Sequence, residues 1–134
     1  MAEGRLHLTV VTPTRTAVEA EVDEVTLPGV LGALGILPGH TPLLTQLRIG
    51  ELSYRQGVRE HYVAIQWGFA EVVGDRVTVL AEVAELPEEI DLEQAKSDKT
   101  AAEAAMRSAS GAELDTQRAR LEAAVTRITV AGRV

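Results

Sequence analysis

Arg76-Val-Thr-Val-Leu-Ala-Glu-Val-Ala-Glu-Leu-Pro-Glu-Glu-Ile-Asp-Leu-Glu-Gln-Ala95 is the stretch that decides the fold. At its start Val77 and Val79 alternate with Arg76 and Thr78, the period of a half-buried strand. The character changes at Leu86-Pro87-Glu88-Glu89. Beyond it, from Leu92 and Ala95, apolar residues recur at three- and four-residue steps, the period of a helix. Proline does not occur after Pro87, alanine takes over, and of the 11 glycines only Gly111 and Gly132 lie downstream.

Upstream, the alternation repeats. Leu6, Leu8 and Val10 are separated by His7 and Thr9, and Val18, Ala20 and Val22 by Glu19 and Glu21. Turn signals fall between such runs at Thr12-Pro13, Leu27-Pro28-Gly29, Pro38-Gly39, Gln56-Gly57 and Gly74-Asp75. Short strands at this spacing predict a β-sandwich or flattened barrel, and about 85 residues can bury a modest core.

Downstream, two helical stripes are legible: Leu92, Ala95, Lys99, Ala102, Met106, Ala109, and then Leu114, Gln117, Leu121, Ala124, Ile128, Ala131. Asp91 with Gln94, and Ser110 with Glu113, have the spacing of capping boxes, and Gly111 falls in the turn between the helices. The sequence therefore predicts an α+β, mainly β, chain. An N-terminal antiparallel β-sandwich spans residues 1–86, and a C-terminal two-helix antiparallel hairpin spans residues 87–134. The hairpin's stripe is narrow and alanine-rich. Half-burying each of its few large side chains contributes on the order of 1 kcal/mol, and isolated helices of this length are marginal in water. Such a hairpin must lean on the sandwich or on a partner, as a movable element does.

The 134 residues carry a formal net charge of -7, 25% charged and only 3% aromatic residues, and no cysteine. The acidic balance disfavours nucleic acid. The lack of cysteine excludes disulfides, thiolate metal sites and cysteine nucleophiles. No apolar run is long enough to span a bilayer, and Met1 to Gly4 have no signal-peptide pattern. The expectation is a cytosolic, soluble chain without a direct membrane span. Charge also separates within the hairpin. Residues 88–111 hold six acids and three bases, whereas residues 112–134 hold three acids (Glu113, Asp115, Glu122) and four bases (Arg118, Arg120, Arg127, Arg133). The second helix is mildly basic on an acidic protein.

Catalytic chemistry is not visible. The segment from Leu27 to Leu44 has glycines at 29, 32, 35 and 39 but no lysine, so it is not a phosphate-cradling loop. Nor does it have the dinucleotide-binding spacing. It reads as a tightly turned β segment with close backbone approaches. His7 and His61 fall on strands, on a solvated face, and His40 in a turn, where it bonds the backbone. There is no metal-ligand spacing, no nucleophile elbow and no nucleophile–base pair. Glu88 and Glu89 read as solvated charges at a helix start. Residue types and spacing thus point to a binding or structural module and imply neither a metal nor a cofactor.

The same glycine-rich segment, with its flanks, resembles the ε subunit of F-type ATP synthases, and the resemblance covers essentially the whole chain. Pro28-Gly29 to Leu44 contains Gly35-Ile36-Leu37-Pro38-Gly39-His40 followed by Pro42-Leu43-Leu44, then Thr45, Leu47 and Gly50. Gly68-Phe69-Ala70-Glu71-Val72, Val77 to Glu82, Ala84-Glu85 and Ile90-Asp91 follow in the family's order. The resemblance implies a non-catalytic rotor part at the cytoplasmic face of the cell membrane. Its sandwich would join the γ subunit and the c-ring through Leu31, Gly32, Ala33, Leu34, Gly35, Ile36, Leu37, Pro38, His40 and Thr41. Its hairpin would move between a folded-back and an extended state. When extended, Arg118, Arg120 and Arg127 would meet an acidic loop of a catalytic β subunit and restrain ATP hydrolysis. The alternative it implies is an ATP-sensing hairpin, for which Ile90, Asp91 and Ala95 are what remains of the family's nucleotide motif. Two departures stand out. Leu31 and Ala33 occupy places where many members carry acids, so contacts there become apolar. Gln94 replaces an arginine that would meet phosphate, which lowers the expected affinity.

Overall fold

The computed structural model describes residues 4–133. Eight strands come first: β1 (Leu6–Val11), β2 (Thr16–Val22), β3 (Glu24–Gly29), β4 (Gly32–Ile36), β5 (Leu43–Leu47), β6 (Gly50–Gln56), β7 (Arg59–Val73) and β8 (Arg76–Glu85). A single 3-10 turn, Pro87–Glu89, leads into α1 (Leu92–Met106) and α2 (Gly111–Ala131). The strands form a β-sandwich and the helices a hairpin, as predicted.

The strands pair in the order β2-β1-β8-β7-β5-β3-β4, with β6 between β3 and β7. All pairings are antiparallel except β1 with β8, which run parallel, Val10 opposite Val79. The long β7 serves both layers: residues 59–65 pair with β6 and residues 68–72 with β5. The change of layer falls at Trp67 and Gly68, whose φ values are 51° and 152°. Strands that switch sheets need such a bend. Only glycine fits position 68, because a Cβ there would lie 2.0 Å from the carbonyl oxygen of Leu80.

The period-2 reading placed the core correctly. Leu6, Leu8, Val10, Val22, Val77 and Val79 are fully buried, together with Val25, Leu27, Ile36, Leu52, Val63 and Ile65. The turns at Pro13, Gly39, Gly57 and Gly74 lie between strands. Leu27-Pro28-Gly29 does not form a turn. It is buried as the end of β3, and the chain reverses one step later, at Val30-Leu31. Pro28 has no amide hydrogen to give the ladder, but its carbonyl accepts from the Arg48 amide at 3.0 Å.

The two cap readings separate. Asp91 Oδ1 accepts from the Gln94 amide at 3.0 Å and caps α1, while the Gln94 side chain donates forward to Asp98 rather than back. Ser110 makes no side-chain cap bond. Its expected partner Glu113 instead accepts from Gln117 Nε2 at 2.9 Å, one turn into α2. The helix begins at Gly111 itself, at φ 58°, rather than after it. In the hairpin, Ala95, Ala102, Gln117 and Ala124 are buried as the stripes anticipate, and Val130 is buried off the seam. None of these belongs to the sandwich core.

Candidate functional site

Three surfaces carry the chain's unusual features. The first is the β3–β4 turn. Leu31 is 100% exposed at its tip, beside Gly32 at φ 130°. Along β4, Ala33 and Gly35 face outward, Leu34 packs on the core and Ile36 is fully buried in it. Leu37 is exposed again, Pro38 and His40 are half-buried and Thr41 is exposed. His40 Nδ1 donates to the Thr41 carbonyl at 2.7 Å, which fixes the turn after β4. Of the ten residues expected on this surface, Leu31, Ala33, Leu37 and Thr41 have exposed side chains, and Ile36 anchors the segment from inside.

The second surface was missed in the sequence. Gln46 lies opposite Phe69, and Phe69 opposite Leu80, across β5, β7 and β8. Phe69 and Leu80 are 53% and 55% exposed, and Leu44 on the same strand as Gln46 is 71% exposed. Trp67, Phe69 and Leu80 line an open cleft of about 560 Å³ with Val11 and Pro13. A signal existed: Leu80 continues the outward register of Arg76 and Thr78, and a large apolar residue there is out of pattern. The cleft depends on the β7 bend at Trp67, which strand periodicity cannot reveal.

The third surface joins hairpin to sandwich. Arg127 Nε donates to Glu85 Oε1 at 2.8 Å and its Nη2 to Oε2 at 3.2 Å, with Asp98 3.8 Å from Nη1. The two side chains are only 17% and 23% exposed. Arg118 and Arg120 are exposed and make no ion pair among the described residues. Arg120 and Arg127 line a cleft of about 620 Å³ between the hairpin and β7/β8, walled by Ala101, Ala102, Ala105 and Ala123. Ile90, Asp91 and Ala95 stand at the start of α1 and do not line it.

Two further arginines had not been singled out for this role. Arg133 grips Glu51 with two bonds, at 2.9 and 3.0 Å, and lies 4.5 Å over the Tyr62 ring. Arg15 grips Glu89 likewise, and its Nη2 also donates to the Ala84 carbonyl at 3.0 Å. Glu89 is thus exposed, as the sequence suggested, but ion-paired rather than free. Its bonds from Arg15, and the Leu86 amide at 2.9 Å, hold its carboxyl below the usual range. The matching contacts raise the guanidinium groups of Arg15 and Arg133. His61 is also not on a solvated face: it is half-buried and stacked on Tyr54 at 4.9 Å. His7 does face out, between Glu21 at 2.9 Å and Glu19 at 3.1 Å. Among the described residues no helix is long and apolar enough to cross a membrane.

Residues 5–87 match the family model for the ATP synthase delta/epsilon chain, β-sandwich domain. The chain is 49% identical over 131 residues to ATP synthase epsilon chain 2 of Syntrophotalea carbinolica, covering 96% of this chain and 95% of that one. It is 47% identical over 135 residues to the ATP synthase epsilon chain of Geobacter metallireducens, at 99% and 97% coverage. Among solved structures it resembles a chain of the Euglena gracilis mitochondrial ATP synthase, in an assembly of OSCP, F1 and c-ring. That match has a TM-score of 0.83 at 25% identity and covers 97% of this chain and 82% of that one. A chain from the central stalk and c-ring of the Tetrahymena thermophila enzyme shares the fold, with a TM-score of 0.66 at 12% identity.

Proposed function

The chain belongs to the ATP synthase epsilon-chain family, a non-catalytic subunit of the enzyme, and from that premise we propose a rotor subunit that also restrains ATP hydrolysis. In this reading the sandwich sits at the foot of the central stalk, on the cytoplasmic face of the membrane. It meets the c-ring through the exposed apolar tip at Leu31, Ala33 and Leu37. It meets the γ subunit through the Leu44, Phe69 and Leu80 face. Exposed apolar side chains gathered on one sheet face suit a permanent protein neighbour better than water. Torque passes through a closed, cross-strand hydrogen-bonded layer whose core excludes the hairpin.

The observation that carries the inhibitory part is the hairpin's attachment: charged clamps and an alanine-walled cleft, not a shared core. An element held so weakly can populate two positions. Released, the mildly basic α2 presents Arg118, Arg120 and Arg127 to an acidic surface of a catalytic β subunit. Deleting residues 88–134 should leave assembly intact and raise ATP hydrolysis by the reconstituted complex. An unchanged rate rejects the inhibitory role while leaving the rotor role standing.

A second reading, ATP sensing by the folded hairpin, draws on the cleft with Arg120 and Arg127 on its wall. Against it, Asp91 is engaged as a helix cap and Gln94 bonds Asp98. Calorimetry on the whole chain with millimolar magnesium and ATP decides this reading. Absence of binding heat ends it.

A further inference from the structure

The hairpin touches the sandwich through α2, which lies along β6 and β7 and against the 3-10 turn. Val130 is its one fully buried large apolar side chain among the described residues. The space beside β7 and β8 is an alanine-walled cleft rather than interdigitated side chains. Apolar contact at the joint is confined to a small patch, in which Ile49 of the sandwich lies beside Leu121 and Val125 of α2. What bridges the two parts is Arg127 on Glu85 and Arg133 on Glu51, each with two bonds, both near the C-terminal end of α2.

We propose that these two pairs are an ionic latch that holds the hairpin docked, and that they open together when it leaves. The third clamp stays shut. Arg15 and Glu89 are tied not only to each other but to the Ala84 carbonyl and the Leu86 amide, all within the sandwich end. The 3-10 turn therefore remains with the sandwich, and the hinge is Ile90-Asp91, where Ile90 is extended at φ -80° and ψ 129°. This deepens the inhibitory reading and rests on it in one respect. Arg127 can serve Glu85 or an acidic partner surface, not both, so docking masks one of the three candidate contact residues.

An ionic latch suits a reversible joint. Carboxylate and guanidinium are each well hydrated when parted, so water replaces much of what the pair loses on opening. Two charge-assisted, two-bond pairs are still directional enough to hold one register. The balance between docked and released states then lies within reach of a partner's differential affinity.

The chain has no cysteine, so spin labels at Ser108→Cys and Val58→Cys, both exposed positions, report hairpin–sandwich distance without background. The parent chain should give one narrow distance. Glu85→Gln or Glu51→Gln should each move the docked-to-released ratio about tenfold toward release, the order expected for losing one charge-assisted pair. The double variant should move it further. Glu103→Gln, exposed and without an ion pair among the described residues, should leave it unchanged. An unaltered narrow distance in the folded double variant overturns the latch. If the glutamine variants do not fold, Arg127→Gln with Arg133→Gln removes the same bonds from outside the sandwich core, and a docked distance there overturns it equally. These distances are read on the isolated chain, so they stand apart from the hydrolysis assay on the assembled enzyme. A failed latch and a failed inhibitory role give different results.

Discussion

Gly68 shows how little freedom a single position can have. Its φ of 152° and the 2.0 Å approach of the Leu80 carbonyl leave no room for a side chain. Gly68→Ala should cost about 3 kcal/mol or more, through strain plus backbone displacement. Gly57 also has a positive φ, 63°, but nothing lies near its missing Cβ. Gly57→Ala should cost only about 1 kcal/mol. Urea unfolding of the two variants side by side measures the difference, and equal midpoints would refute the role given to the β7 bend. His7 offers a pH handle. Hydrogen bonds to Glu21 and then Glu19 raise its pKa above 6.5. A raised folded-state value means the contribution is fully present below pH 6.5 and is lost as pH climbs through the folded pKa. Chemical unfolding at pH 6 and pH 8 should show the parent losing more stability over this interval than His7→Gln. Parallel losses would show that the pairs do not matter.

At the level of elements, the two helix starts look alike in sequence and differ in the fold. Asp91→Ala removes a cap bond to the Gln94 amide and should destabilise the start of α1 by about 1 kcal/mol. Ser110→Ala removes no side-chain bond and should be nearly neutral. Amide hydrogen exchange in the first turn of each helix separates the two cases. Faster exchange in α2 after Ser110→Ala would contradict the geometry. The difference arises because Glu113 has a second choice of partner. Gln117, buried one turn later, needs its amide satisfied and takes the carboxylate that the cap would have used. Motif spacing identifies who can bond, and burial decides who does.

For the molecule as a whole, the apolar face at Leu44, Phe69 and Leu80 is the strongest candidate for permanent attachment. Phe69→Ser together with Leu80→Ser should leave the fold intact, since both side chains point out of the core. The pair should sharply reduce recovery of the γ subunit with this chain from co-expressing cells. Undiminished recovery would move the attachment site elsewhere. This face was only half legible beforehand: Leu80 broke the pattern, but nothing local ties it to Phe69 or Trp67. Within the Leu31-to-Thr41 segment, the inward members, Leu34 and Ile36, could be told from the outward ones only after β4 had paired with β3.

Local chemistry sufficed for much of this protein. Alternation over Leu6 to Val10 and Val77 to Val79, the turns at Gly39, Gly57 and Gly74, the break at Pro87 and the Asp91 cap all rest on neighbours a few residues apart. Such interactions are written directly in residue order. The parallel closure of β1 on β8, the passage of β7 between layers and the allegiance of each arginine were settled only by the folded chain. Arg127 meets Glu85 across 42 positions, and Arg133 meets Glu51 across 82. No local preference selects one carboxylate among the chain's 20 acidic residues. Packing does so, by bringing two distant side chains within hydrogen-bond reach, and around Arg127 and Glu85 also by partly shielding them from water.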